Sequence, residues 1–300
     1  MRLLAREKEK SGTLILAHTY QAPEILAAAD VCGDSYALAK AATAYQDERV
    51  VLCGVRFMAE TVKILSPEKT VVLPKKRATC PMAEQITPAR VRAFREENPE
   101  VTVVAYINTT AALKAECDVC VTSSSAVKIV HALPGRKILF IPDQNLGAWV
   151  RKQCPEKEII LWDGCCPVHN SITQQDVLRA KAQHPSAKLA MHPECPPEAL
   201  QHADMVGATS AIIDYALQNG QEDIIFGTEC GVYNDLIQKY PKRHFYQLRG
   251  DKLICPDMKM TSLQDVYLAV TGAGGEEIVL EEPLRKAAKH SLDNMLKYGG

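Results

Sequence analysis

Five cysteines precede a proline: Cys80, Cys154, Cys166, Cys195 and Cys255. Three of them, Cys80, Cys166 and Cys255, lie 86 and 89 residues apart (166 − 80 and 255 − 166). Each follows a strand-like run and precedes a polar segment able to start a helix. Equal spacing of a reactive residue is the mark of an internal repeat, with each copy presenting one thiolate to a shared centre. Such a trio suits two inorganic groups. One is a zinc ion closed by a histidine, for which His169 is the nearest in sequence. The other is a [4Fe-4S] cluster with one iron left free of protein, a Lewis acid able to hold a substrate carboxylate or hydroxyl. His169 itself reads as a satisfied surface or outer histidine rather than a ligand. Ligands scattered over the whole chain disfavour small zinc modules and ferredoxin-type motifs, which cluster theirs within a few residues.

The elements that must carry these thiols repeat as well. Thr13 to Ala17, Val101 to Ala105 and Lys188 to Met191 are apolar, strand-like runs. They end at His18-Thr19-Tyr20, Tyr106-Ile107-Asn108 and His192-Pro193-Glu194. His18, Tyr106 and His192 each lie 12 residues before an aspartate: Asp30, Asp118 or Asp204. Tyr20, Asn108 and Glu194 lie 10 before the same aspartates, and Ser35, Ser123 and Thr209 lie 5 after them. Three hydroxyls that each open a helix-like run suit anions, because a helix start offers unpaired N–H groups and a partial positive charge. The second half of each copy supplies another apolar run (from Val50, Lys137 and Asp223), a helix pattern stopping near Pro67, Pro155 and Pro241, a further β-rich run, and then the cysteine. Short apolar strands alternating with helices predict parallel sheets with both faces covered, and ligands beyond the carboxyl ends of the strands.

The predicted architecture is therefore α/β: three similar three-layer αβα domains with small parallel sheets about a pseudo-threefold axis. The boundaries fall at 1–83 plus 257–300, 84–170 and 171–256. The tail, with helical patterns at 258–272 and 283–298 and a short strand near 276–280, is expected to return to the first domain. A net charge of −1 leaves no electrostatic footprint for nucleic acid or an anionic membrane. No apolar run is long enough to span a bilayer, and the charged start from Met1 to Lys10 lacks the apolar segment of a signal peptide. A cytoplasmic protein follows, in which most of the eleven cysteines are core residues or ligands rather than disulfides. By register, Cys32, Cys53, Cys117 and Cys120 are core positions. Cys154 is incidental, Cys195 is placed to line the site, and Cys165 is a rival ligand to Cys166.

At this point the sequence resembles the quinolinate synthase family over essentially its whole length. The residues that carry the likeness are Ala17-His18-Thr19-Tyr20-Gln21, Gly33-Asp34-Ser35, Phe57-Met58-Ala59-Glu60, Ala78-Thr79-Cys80-Pro81-Met82-Ala83 and Tyr106-Ile107-Asn108-Thr109-Thr110. Thr122-Ser123, Cys166-Pro167-Val168-His169, His192-Pro193-Glu194-Cys195 and Cys255-Pro256-Asp257-Met258-Lys259 complete them. Two positions depart from the usual pattern, Thr19 for asparagine and Ile107-Asn108-Thr109 for Val-Asn-Ser. The resemblance implies a [4Fe-4S] cluster on Cys80, Cys166 and Cys255. It implies condensation of iminoaspartate with dihydroxyacetone phosphate to quinolinate in NAD biosynthesis, and it allows a transient contact with the enzyme that produces iminoaspartate. His18, Ser35, Tyr106, Asn108, Ser123, His192, Glu194 and Thr209 then bind substrate, Tyr20 is the acid/base, and Asn108 or Glu194 approaches the open iron. Met58 and Glu60 are expected to line an entrance.

Overall fold

The structure is a computed structural model describing residues 1–300 apart from Asn219, Gln221 and Gly300. Its first sheet is built from β1 (Thr13–His18), β2 (Val31–Gly33), β3 (Arg49–Cys53) and β4 (Thr70–Leu73). The second uses β5 (Thr102–Tyr106), β6 (Val119–Val121), β7 (Lys137–Ile141) and β8 (Glu158–Leu161). The third uses β9 (Lys188–Met191), β10 (Met205–Val206), β11 (Ile224–Gly227) and β12 (Phe245–Gln247). The spatial orders are β2-β1-β3-β4, β6-β5-β7-β8 and β10-β9-β11-β12, so one topology is used three times. The pairings among these strands are parallel. The strands are rich in Val, Ile and Leu, and the central ones are buried along nearly their whole length, as helices on both faces require.

The aspartates that mark the repeat have a structural task. Asp30 accepts the Ile15 N–H at 2.8 Å, and Asp204 accepts the Leu189 N–H at 2.9 Å, from identical registers. Their other partners are cations, Lys8 and Lys181, and Asp118 is paired with Arg95. A second device is shared by the first two repeats. Lys69 donates to the carbonyls of Tyr45 and Asp47, and Lys157 to those of Leu133 and Gly135.

The chain groups into two compact units. One comprises Met1–Pro99, Ile107–Cys120 and Pro256–Lys297. In it the tail returns as expected. A short strand β13 (Glu276–Glu277) pairs antiparallel with β4, and the helix Leu263–Thr271 packs Val266, Ala269 and Val270 against Ile15, Ala17, Val51 and Cys53. Leu4 joins this core from an N-terminal helix, Arg2–Ser11, for which the sequence reading made no provision. The other unit comprises Glu100–Tyr106, Val121–Cys255 and the stretch from Tyr298 on. Its third sheet is backed by a core of Val177, Leu189, Met191, Cys195, Ile225 and Leu253.

Two cysteine assignments need correction. Cys32 is exposed, because β2 is a three-residue edge strand, and its thiol donates to the Leu26 carbonyl. Cys195 does not line the site: its thiol points at the Gly227 carbonyl and lies wholly within the apolar core. Cys53, Cys117 and Cys120 are buried as expected, and burial pushes all three thiols up from their ordinary values.

Candidate active site

The three cysteine loops share one closure. The first residue of the helix after the third strand donates its N–H to the carbonyl two residues before the cysteine. The pairs are Arg56 to Ala78, Gln144 to Gly164 and Cys230 to Leu253, at 2.9, 2.7 and 2.8 Å. Cys80, Cys166 and Cys255 are thereby set at one structural register, each half-buried. Cys165 is half-buried too, and burial raises its thiol above the ordinary value.

In the unit that holds the third sheet, polar groups gather around Cys166. His169 lies in the turn His169–Ser171 that follows it, and His192 and Glu194 in the turn after β9. The Nδ1 of His169 meets a Glu194 carboxylate oxygen at 2.7 Å and the Cys166 sulfur at 3.4 Å, while its Nε2 lies 3.3 Å from the Thr228 hydroxyl. His169 and His192 stack with ring centroids 4.8 Å apart. Tyr106, at the end of β5, also donates to the Glu194 carboxylate. Cys166, His169 and Glu194 offer a thiol, an imidazole and a carboxylate within 4.8 Å of one another, a set able to hold a metal ion. His169 is thus a buried, fully engaged histidine rather than a surface one.

The electrostatics follow from this packing. Burial opposes charge on Glu194, but the neighbouring imidazoles of His192 and His169 and the bonds from His169 and Tyr106 outweigh it and hold the carboxyl below its ordinary range. Burial pulls His192 down to about 4, so the ring is neutral near pH 7. Its Nδ1 accepts the Glu194 main-chain N–H at 3.4 Å. His18, in the other unit, repeats the motif: its Nδ1 accepts the Tyr20 N–H at 3.1 Å. In both histidines the ring proton is therefore assigned to Nε2, leaving that atom as a hydrogen-bond donor.

That other unit gathers the remaining groups. The His18 and Tyr20 rings meet edge to face at 4.5 Å, and both residues are buried. Lys259 donates to the Tyr20 carbonyl, and the Gln21 side chain donates to the Met258 carbonyl at 2.6 Å. The segment after Cys255 thus clamps the Tyr20 turn. Asn108 presents a buried side-chain oxygen with no hydrogen-bond partner. Its loop is held from beneath by Lys114, a fully buried lysine that donates to the carbonyls of Ile107 and Thr109. Burial lowers the Lys114 ammonium below its ordinary value. Met58 is buried, and Glu60 accepts the Ala111 N–H at the start of the helix Ala111–Lys114.

Of the three hydroxyls, Ser35 and Thr209 are the first residues of the helices Ser35–Ala44 and Thr209–Gln218. The cap of the former is Asp34, which accepts the Ala37 N–H. Ser123 lies in the turn before the helix Ala126–Ala132. Sequence reasoning missed three groups: Lys114, Asp143 and Glu229. The last two carry a legible signal, since each immediately precedes the helix that closes a cysteine loop.

Fold and site together define an α/β protein of thrice-repeated topology with a buried cluster of histidine, glutamate and tyrosine beside the half-buried thiol of Cys166. A family model described as "Quinolinate synthetase A protein" matches residues 2–297. Among curated relatives, a quinolinate synthase of Alkaliphilus metalliredigens is 45% identical over 98% of this chain and 96% of its own. Those of Caldicellulosiruptor saccharolyticus and Clostridioides difficile are 46% and 44% identical, each over 97% of this chain and 95% of theirs. The chain belongs to the quinolinate synthetase A protein family.

Proposed function

We propose that this chain is a quinolinate synthase that condenses iminoaspartate with dihydroxyacetone phosphate to quinolinate, phosphate and water, in NAD biosynthesis in the cytoplasm. The observation that carries the reading is the shared register of Cys80, Cys166 and Cys255, each closed by the same helix-to-carbonyl bond. These thiols suit a [4Fe-4S] cluster: they are half-buried, whereas Cys53, Cys117, Cys120 and Cys195 are sealed in apolar cores. When bound, such a cluster supplies a Lewis acid for substrate oxygens. The unpartnered oxygen of Asn108 supports the same reading, because a buried acceptor without a donor is costly unless a ligand meets it.

In this reading three repeated domains, 1–83 plus 257–300, 84–170 and 171–256, each contribute one cysteine and one set of polar groups. His18 and His192 donate from Nε2 to the carboxylates and phosphate of the substrates, with Ser35, Tyr106, Ser123 and Thr209 adding hydroxyl donors. Tyr20 moves protons during cyclisation and dehydration, its ring oriented by His18 and its main chain by Lys259. Glu194, held ionised, and Asn108 are the candidates to meet the open iron. Any transfer from the enzyme that makes iminoaspartate is a transient contact, and no described helix is long and apolar enough to cross a membrane.

The test is metal analysis after anaerobic reconstitution. Replacing Cys80, Cys166 or Cys255 by serine is expected to abolish iron and sulfide uptake and the broad brown absorbance. Cys117→Ala is expected to leave all three. Loss of the cluster in Cys117→Ala, or its retention in Cys166→Ser, contradicts the assignment. Zinc in place of iron in the native protein favours the closed-zinc alternative.

A further inference from the structure

Two of the three cysteine loops hold a buried carboxylate that nothing in the reaction requires. Asp143, wholly buried, caps the helix Gln144–Gln153 by accepting the Leu146 N–H at 2.7 Å through one oxygen. Its other oxygen accepts the main-chain N–H of Cys166 at 2.9 Å. Glu229, also wholly buried, does the same one repeat later. It accepts the Gly231 N–H of the helix Cys230–Lys239 at 2.7 Å, and the main-chain N–H of Cys255 at 3.1 Å. At the equivalent place in the first repeat stands Val55, which precedes the helix Arg56–Leu65 and has no acceptor in its side chain. The same stretch that fixes Cys166 also fixes the Glu194 turn, since Asn145 donates to the Glu194 carbonyl at 3.0 Å.

We infer that Asp143 and Glu229 are positioning residues that fix Cys166 and Cys255 as cluster ligands by gripping their main-chain N–H groups. The inference rests on the cluster assignment above. A carboxyl oxygen that occupies a cysteine N–H keeps that donor off the cluster's sulfur. This opposes reduction, because hydrogen bonds to the sulfurs help set cluster potentials. Groups that orient a ligand from behind also govern how firmly the metal is held, their loss costing about 10- to 100-fold in affinity.

Asp143→Asn and Glu229→Gln separate this role from helix capping. An amide keeps one acceptor oxygen for the cap, while its NH2 cannot accept the cysteine N–H. The measurements are iron release to a ferrous chelator and the cluster's reduction potential, both on anaerobically reconstituted protein. Leu4→Ala, which opens the core that holds Ile15, Val51 and Val266 but removes no acceptor from a cysteine N–H, is the control. Release about 10- to 100-fold faster than wild type, with a potential shifted upward and the control unchanged, is the expected result. Glu229→Gln carries the test by itself if Asp143→Asn does not fold. Wild-type release and potential in a folded variant overturn the inference, whereas a wild-type protein that takes up no cluster overturns the reading beneath it.

Discussion

A buried carboxylate with two neighbouring imidazoles and a tyrosine hydroxyl is the chemical heart of what this chain displays. Glu194 keeps its charge despite burial because His169, His192 and Tyr106 face it. Glu194→Gln is expected to leave the fold intact and to lower quinolinate formation about 10- to 100-fold, the usual cost of losing a group that holds or orients a metal site. A steady-state assay at saturating substrates checks it. Tyr20→Phe is expected to keep the cluster and lose activity about 10²- to 10⁴-fold, the usual worth of a positioned acid or base, and full activity rejects the acid/base role of Tyr20. At this scale the sequence was largely legible, since register alone paired His18 with His192 and Tyr20 with Glu194. It was not legible that the matching main-chain bonds set both histidine tautomers, because a tautomer depends on backbone geometry that spacing does not encode. Nor did register separate Cys195 from the site, for the side chain next to Glu194 turns into the core.

Helices and strands hold these groups by means that mostly lie far from them. Asp176 sits in a capping box with Thr173 and also receives Arg249 and Lys252. Burial opposes its charge, but the bonds from Lys252, Thr173 and Arg249 win and hold its carboxyl well below the ordinary range. A depressed carboxyl contributes stability that is present above its unfolded value, about 4, and is lost as pH falls through the folded one. Asp176→Asn is therefore expected to cost about 1–3 kcal/mol at neutral pH, with the gap to wild type closing as pH falls below about 4. Thermal unfolding against pH reads this directly. The N-terminal helix offers a second test. Leu4 is buried against Val266 and Val270, whereas Leu3 is 67% exposed. Leu4→Ala is expected to cost about 2–5 kcal/mol, and Leu3→Ala close to nothing. That helix escaped the sequence reading because its charges mask a single buried leucine, while the central strands, as continuous apolar runs, were found to within a residue or two of their ends; the tail strand, expected near 276–280, is Glu276–Glu277 alone.

The whole molecule is one strand order written three times, with an antiparallel strand and two helices added at the end. The repeat was readable because it is carried by rigid requirements: an aspartate to pin the first strand, a proline to stop a helix, a cysteine to end the unit. Where a requirement lapses the repeat fades, as at Val55, where the other copies have Asp143 and Glu229. The central claim is that this scaffold makes quinolinate with a cysteine-held cluster. Its most direct test is to give anaerobically reconstituted protein iminoaspartate and dihydroxyacetone phosphate and to measure quinolinate. Quinolinate and phosphate in equal amounts, lost in folded Cys166→Ser, is the result predicted; fully loaded protein that forms no quinolinate contradicts it.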